Sequence, residues 1–194
     1  MALHPAVEAR LAKLAPDQRA AATAPPGPVL CVAPAGSGKT TTLVARICWL
    51  VASGADPGRI TAVTFNKRAA EELGARLSDA LAPIADGRAQ PRVRTFHALG
   101  REILSEAGVD VRNLVDRADV VQRLNGKRVP AGAFRRIDDA FSRLKLDLMI
   151  EPAELVRLVE AGAKLPVEPD LASAFVAYQA WLQHNAALDF DDLV

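Results

Sequence analysis

The chain has 194 residues, 50% hydrophobic and 24% charged, and its 24 basic and 23 acidic groups leave a formal net charge of +1. A globular chain of this length buries roughly 70% of the surface that its unfolded form exposes, so this composition excludes an intrinsically disordered or fibrous polypeptide. The two cysteines, Cys31 and Cys48, lie in apolar runs with no partner at metal-ligand spacing, which excludes a disulfide framework and a zinc site.

No uncharged apolar run approaches the roughly 18 residues that a membrane span needs, and MALHPAVEARLAKLAP has no signal-type apolar core. A reducing cytoplasm is the expected location. The small net charge conceals a division, because residues 112–146 carry +5 and residues 147–194 carry −7. The middle of the chain is thus suited to face a polyanion, although a solvated helical face would have the same composition.

In chain order, Pro16 suits the first turn of a helix over PDQRAAATA, and PPGP at residues 25–28 ends it. VLCVA, residues 29–33, is short, apolar and β-branched, which predicts a strand buried on both faces of a parallel sheet. Beyond a glycine-rich turn, Leu43, Val44, Ile47, Leu50 and Val51 recur at helical spacing, and Gly54 is placed to stop that helix. ITAVTF predicts a second strand, and NKRAAEELGARLSDAL a helix with Ala70, Leu73, Leu77 and Leu81 on one face. VRTF predicts a third strand leading into a helix over HALGREILSEAG that ends at Gly108.

This alternation predicts an α/β fold with a parallel sheet flanked by helices. Beyond Gly108 the alternation gives way to four helical segments: DRADVVQRLNG, AGAFRRIDDAFSRLKL, EPAELVRLVEAG and EPDLASAFVAYQAWLQHNA. Pro152 and Pro169 each follow a glutamate, as suits a helix start.

APAGSGKT, residues 33–40, fits the phosphate-binding loop of P-loop NTPases, with Ala33 in place of the usual first glycine. Such a loop turns the amides of Ala35, Gly36, Ser37 and Gly38 toward phosphate oxygens, and the two glycines permit an approach that a Cβ would obstruct. Lys39 is the candidate for the β and γ phosphates of ATP, and Thr40 for Mg2+. A plain glycine turn with a solvated lysine is the alternative. The strand-turn-helix setting argues against it.

Four further segments resemble UvrD/Rep-type superfamily 1 ATP-dependent DNA helicases. LAPDQRAAA is similar to the adenine-recognition segment of that family, which makes Gln18 the candidate base contact; an exposed polar residue of a first helical turn would read the same way. AVTFNKRAAEEL resembles a segment that contacts single-stranded DNA, implicating Thr64, Phe65, Asn66, Lys67 and Arg68. Phe65 would stack on a base, although an aromatic ending an apolar strand equally suits a core. RTFHALGREIL resembles the next DNA-side segment and implicates Thr95, Phe96 and His97, while a histidine there also serves as a helix cap. LDFDDL, residues 188–193, resembles a segment shortly before the family's acidic metal-binding motif.

Thr41 stands where many relatives carry an arginine near the base, and Asn66, Lys67 and Arg68 where they often show Thr, Asn and Lys. No hydrophobic strand ending in Asp-Glu is found.

The resemblance implies a RecA-like motor domain over residues 1–108, an all-helical insertion subdomain over 109–187, and a return into the motor at 188–194, truncated before the acidic motif. It implies ATP and Mg2+ as cofactors, single-stranded and duplex DNA as partners, 3′ to 5′ movement, and a repair or recombination role. The remainder of the motor, or a partner chain, would complete the site. Arg112, Arg117, Arg123, Lys127, Arg128, Arg135, Arg136, Arg143 and Lys145 are candidates for a DNA-supporting surface. Two other classes fit the loop: a noncatalytic ATP- and DNA-binding half of a split motor, and a P-loop phosphotransferase using LDFDDL to help bind metal.

Overall fold

The structure, a computed structural model, describes residues 3–84, 87 and 89–194, so the first two residues of the amino-terminal segment lie outside it. The chain divides into two compact units, Met1–Thr95 and Phe96–Val194.

In the first unit, α1 (Pro5–Ala12) and α2 (Pro16–Ala22) both start on proline, whose preset φ and missing N–H are suited to a first helical turn. The next helix, α3 (Lys39–Ala52), packs against α1, α2 and the later α4 (Lys67–Leu81). Its buried face contains Thr42, Val44, Ala45, Ile47, Cys48 and Val51, whereas Leu43 is exposed and Leu50 half-buried. The inward stripe therefore runs through smaller residues than expected. Packing on more than one side makes Ala45 and Cys48 interior, and it leaves part of the predicted leucine face outside.

Two short strands follow, β1 (Thr61–Thr64) and β2 (Arg92–Thr95), paired in parallel with Thr61 opposite Arg92 and Thr64 opposite Thr95. Between them, α4 is capped by Asn66, whose side chain accepts from the Ala69 amide at 2.8 Å. It buries Leu73, Leu77 and Leu81 as the sequence predicts, and Ala70 is half-buried.

VLCVA corrects the sequence reading. Residues 29–33 form no strand, Leu30 and Val32 are 89% and 87% exposed, and Cys31 is exposed too. A strand buried on both faces depends on neighbours at its edges. Among the described residues the sheet has two strands, β1 and β2, which pair with one another and leave 29–33 unpaired. Apolar, β-branched composition expresses a preference for such pairing and cannot supply the partner.

The second unit contains α5 (Phe96–Glu106), α6 (Arg117–Asn125), α7 (Ala131–Ser142), α8 (Pro152–Glu160) and α9 (Pro169–His184). A widened turn over Arg143–Asp147 continues α7, and a tight turn over Phe190–Leu193 ends the unit. All four helical segments predicted beyond Gly108 are present. Their core gathers Val120, Phe141, Leu144, Leu155, Phe175 and Tyr178, with the Phe141 ring 5.3 Å from that of Phe175 and 5.0 Å from that of Tyr178. Against α5 the Phe190–Leu193 turn packs so closely that a Cβ on Gly100 would lie 1.6 Å from the Leu193 carbonyl oxygen. Among the described residues no helix is long and apolar enough to cross a membrane.

Candidate nucleotide and nucleic-acid site

The loop at 33–40 enters α3 through Gly36 and Gly38, whose φ angles of +76° and +81° lie in the left-handed region. Gly38 is the N-cap, and a Cβ there would meet the Gln18 amide nitrogen at 2.8 Å. The first amides of α3 have no carbonyl partner within the helix, so the helix opens with donors toward the loop. Ser37 closes the turn by donating its hydroxyl to the Pro34 carbonyl at 2.8 Å.

Lys39 is exposed and folds back over its own loop, donating to the carbonyls of Ala33 at 3.0 Å and Pro34 at 2.7 Å. Gln18 joins α2 to the loop. Its amide nitrogen donates to the Ser37 carbonyl at 2.8 Å, and its oxygen accepts from the Ala15 amide at 3.1 Å. Beside these groups lies a cavity of about 310 Å³ lined by Asp17, Gln18, Pro34, Ser37, Lys39 and Thr42. Ala35, Thr40 and Thr41 are exposed. The structure thus brings Gln18, Ser37, Gly38 and Lys39 together, and the lysine sits where anionic oxygens can replace neutral carbonyls.

At the carboxyl end of β1, Phe65 is 89% exposed, which removes the core alternative for that ring. Thr64 donates its hydroxyl to the Asn66 carbonyl at 3.2 Å, and Asn66 is occupied as the α4 cap. Lys67 and Arg68 are exposed, with Lys67 3.9 Å from Glu71. The parallel register puts Thr95 opposite Thr64 at the same end of the sheet, the end where open parallel sheets receive ligands. Phe96 and His97 begin the second unit. His97 is exposed and meets Phe190 edge to face, with ring centroids 5.8 Å apart at 85°. Phe190 was not singled out by sequence; its signal was an aromatic inside LDFDDL.

LDFDDL reads differently in the fold. Asp189 is 1% exposed and accepts from Tyr178 Oη at 2.6 Å, Arg117 Nη2 at 2.9 Å and Lys145 Nζ at 2.8 Å. Arg117 also binds Asp138 at 2.8 Å and pairs with Asp191, while Lys145 reaches Asp192 at 2.7 Å. Burial alone would push the Asp189 carboxyl up. Hydrogen bonds from Lys145 and Tyr178, the Lys145 charge and the Arg117 hydrogen bond outweigh it and hold the group well below the usual carboxylate range. Burial first, and then the bond to Asp189, raise the Tyr178 hydroxyl far above its ordinary value.

Both Asp189 oxygens are therefore occupied, and among the described residues no cluster of three or more His, Cys, Asp or Glu side chains is placed to hold a metal. Two of the nine cations named for a DNA surface, Arg117 and Lys145, are spent inside this network. Arg112 and Arg136 pair with Asp110 and Glu168.

ATP-dependent DNA helicase UvrD1 of Mycobacterium tuberculosis (strain ATCC 25618 / H37Rv) is 33% identical over 93% of this chain and 24% of its own length. UvrD2 of the same strain is 33% identical over 95% of this chain and 29% of its own length. PcrA of Bacillus subtilis (strain 168) is 34% identical over 95% and 25%. The chain thus spans about a quarter of the length of the curated relatives it matches. Residues 14–194 match the family described as UvrD/REP helicase N-terminal domain, and the chain belongs to that family.

Proposed function

We propose that this chain is the nucleotide- and DNA-binding amino-terminal segment of a motor that couples ATP hydrolysis to 3′ to 5′ movement on single-stranded DNA and to strand separation. The observation that carries the reading is the loop at 33–40, where two left-handed glycines turn into α3 and Lys39 and Gln18 flank a cavity. The similar proteins are named ATP-dependent DNA helicases.

The residues fit a nucleotide tail. Loop and helix-start amides are the donors, Lys39 exchanges the Ala33 and Pro34 carbonyls for β and γ phosphate oxygens, and Thr40 offers its hydroxyl to Mg2+. Gln18 contacts adenine by releasing the Ala15 or Ser37 bond, which ties base recognition to loop shape. Thr41 leaves the base without an arginine. Thr64, Phe65, Asn66, Lys67, Arg68 and Thr95 contact single-stranded DNA from the first unit, and Phe96, His97 and Phe190 do so from the second. Residues 1–108 form part of the RecA-like motor domain, 109–187 its helical insertion and 188–194 the return. The acidic metal-binding motif, arginine fingers and second motor domain come from the remainder of the motor or a partner chain. Cytoplasmic residence and a part in DNA repair accompany this reading.

A phosphotransferase would need carboxylates in LDFDDL that are free to bind metal. The engagement of Asp189 by Arg117, Lys145 and Tyr178 argues against it.

The test is a titration of a fluorescent ATP analogue against wild type and Lys39→Ala, followed by turnover with and without single-stranded DNA. Binding lost in Lys39→Ala is expected. Turnover should be negligible, since an arginine finger alone contributes about 10³ to 10⁵ in rate. Robust turnover insensitive to DNA would overturn the motor reading.

A further inference from the structure

We propose that Asp189 is a positioning residue: clamped by Arg117, Lys145 and Tyr178, it fixes the turn that holds Phe190 against His97, so that the two rings meet single-stranded DNA as one preset surface. This rests on the DNA-binding reading above.

The geometry runs outward from the buried carboxylate. Asp189 Oδ1 accepts from the amides of Asp191 and Asp192 at 3.0 and 3.1 Å, and the Asp192 carboxylate accepts from the Asp189 amide at 2.8 Å. One side chain thereby sets the backbone course of Phe190–Leu193. The clamp is drawn from three elements remote in sequence, with Arg117 in α6, Lys145 after α7 and Tyr178 in α9, at separations of 72, 44 and 11 residues. Ser142 adds a bond to Asp191 at 2.6 Å.

The turn then meets α5 without slack, because the backbone of Leu193 fills the space a Cβ on Gly100 would need. Phe190 leaves this turn 51% exposed, and its ring meets His97 edge to face. A ring half-open to solvent would ordinarily sample several rotamers. Here the backbone beneath it is fixed from both sides, which lowers the conformational cost of meeting a base.

Two readouts test the proposal in the whole chain. The protein has three histidines, His4, His97 and His184, so the imidazole proton signals in an NMR spectrum can be assigned by substitution. The His97 signal should be displaced by the Phe190 ring current, and Asp189→Asn should move it to the position found in Phe190→Ala. Affinity for a labelled oligo(dT) provides a double-mutant cycle. Asp189→Asn and Phe190→Ala should each weaken binding about fivefold or more, the lower end for one stacked base, and the double variant should bind no more weakly than Phe190→Ala.

If Asp189→Asn loses helicity, Tyr178→Phe takes its place in the cycle, since it removes one bond to Asp189 and keeps the ring packed on Phe141. Additive losses, or an unmoved His97 signal in a folded variant, would overturn the positioning role while leaving DNA binding in place. Failure of wild type to bind the oligonucleotide would overturn the DNA-binding reading along with it.

Discussion

Phe65 shows what a single side chain can and cannot reveal. In sequence it ends an apolar run, and hydrophobicity alone points inward; in the fold it is 89% exposed at the carboxyl end of β1. Phe65→Ala is therefore expected to leave stability within about 0.5 kcal/mol, as surface changes do. It should weaken oligo(dT) binding by about 1 to 3 kcal/mol, the worth of a stacked base. Paired thermal melts and anisotropy titrations would check this, and a large loss of stability with intact DNA affinity would return the ring to a packing role. The left-handed turn at Gly36 and Gly38 was legible because its conformation depends on neighbours within a few residues. The bonds of Asp189 were not, since periodicity carries no information about partners 72 and 44 residues away. Arg117 and Lys145 accordingly read as candidates for a DNA surface, when each serves as a buried counterion.

Helices were legible as elements because an amphipathic stripe and its caps are local, as Asn66 and the leucines of α4 illustrate. That 29–33 forms no strand was not legible, since pairing depends on residues elsewhere. The exposure of that segment makes a direct chemical expectation: a thiol reagent should modify Cys31 quickly. Cys48, buried in α3 and with its thiol pushed up by that burial, should react only on unfolding. Slow reaction at both would mean that 29–33 is covered in solution. Two helical glycines give a second contrast. Gly74 of α4 has open space where a Cβ would go, so Gly74→Ala should stabilise by about 0.5 to 1 kcal/mol through helix propensity. In α5 the same propensity gain at Gly100 is opposed by backbone atoms 1.6 and 2.6 Å from the new methyl. Rotamer changes cannot relieve a clash with backbone, so Gly100→Ala should be destabilising by about 1 to 3 kcal/mol. Denaturant melts of the two variants should move in opposite directions.

At the scale of the whole molecule, each unit has its own core and its own tryptophan, Trp49 packed on the first and Trp181 on the second. Single-tryptophan variants, Trp181→Phe and Trp49→Phe, can therefore follow the two units separately. The proposed nucleotide site lies in the first unit. At a hundredfold excess over its dissociation constant, a bound analogue should stabilise the Trp49 transition by about 2.7 kcal/mol. The second unit contains the depressed carboxyl of Asp189. Because its native value lies well below the unfolded one near 3.9, the folded state binds fewer protons between those two values. Its stabilisation is complete above the unfolded value and is lost as pH falls through it toward the native one. Asp192 acts oppositely: burial and the neighbouring Asp189 charge raise its carboxyl, so charging it is a cost at neutral pH that mild acid relieves first. The Trp181 transition should hold level on mild acidification and then weaken below about pH 4. Asp189→Asn should flatten that acid limb. It should also lower neutral stability, toward the smaller end of the roughly 3 to 5 kcal/mol typical of a broken buried pair, since Asp191 and Asp192 still face Arg117 and Lys145. An acid limb unchanged in Asp189→Asn would mean that other carboxylates govern the second unit, and that the charge at position 189 is not what holds its helices to the turn.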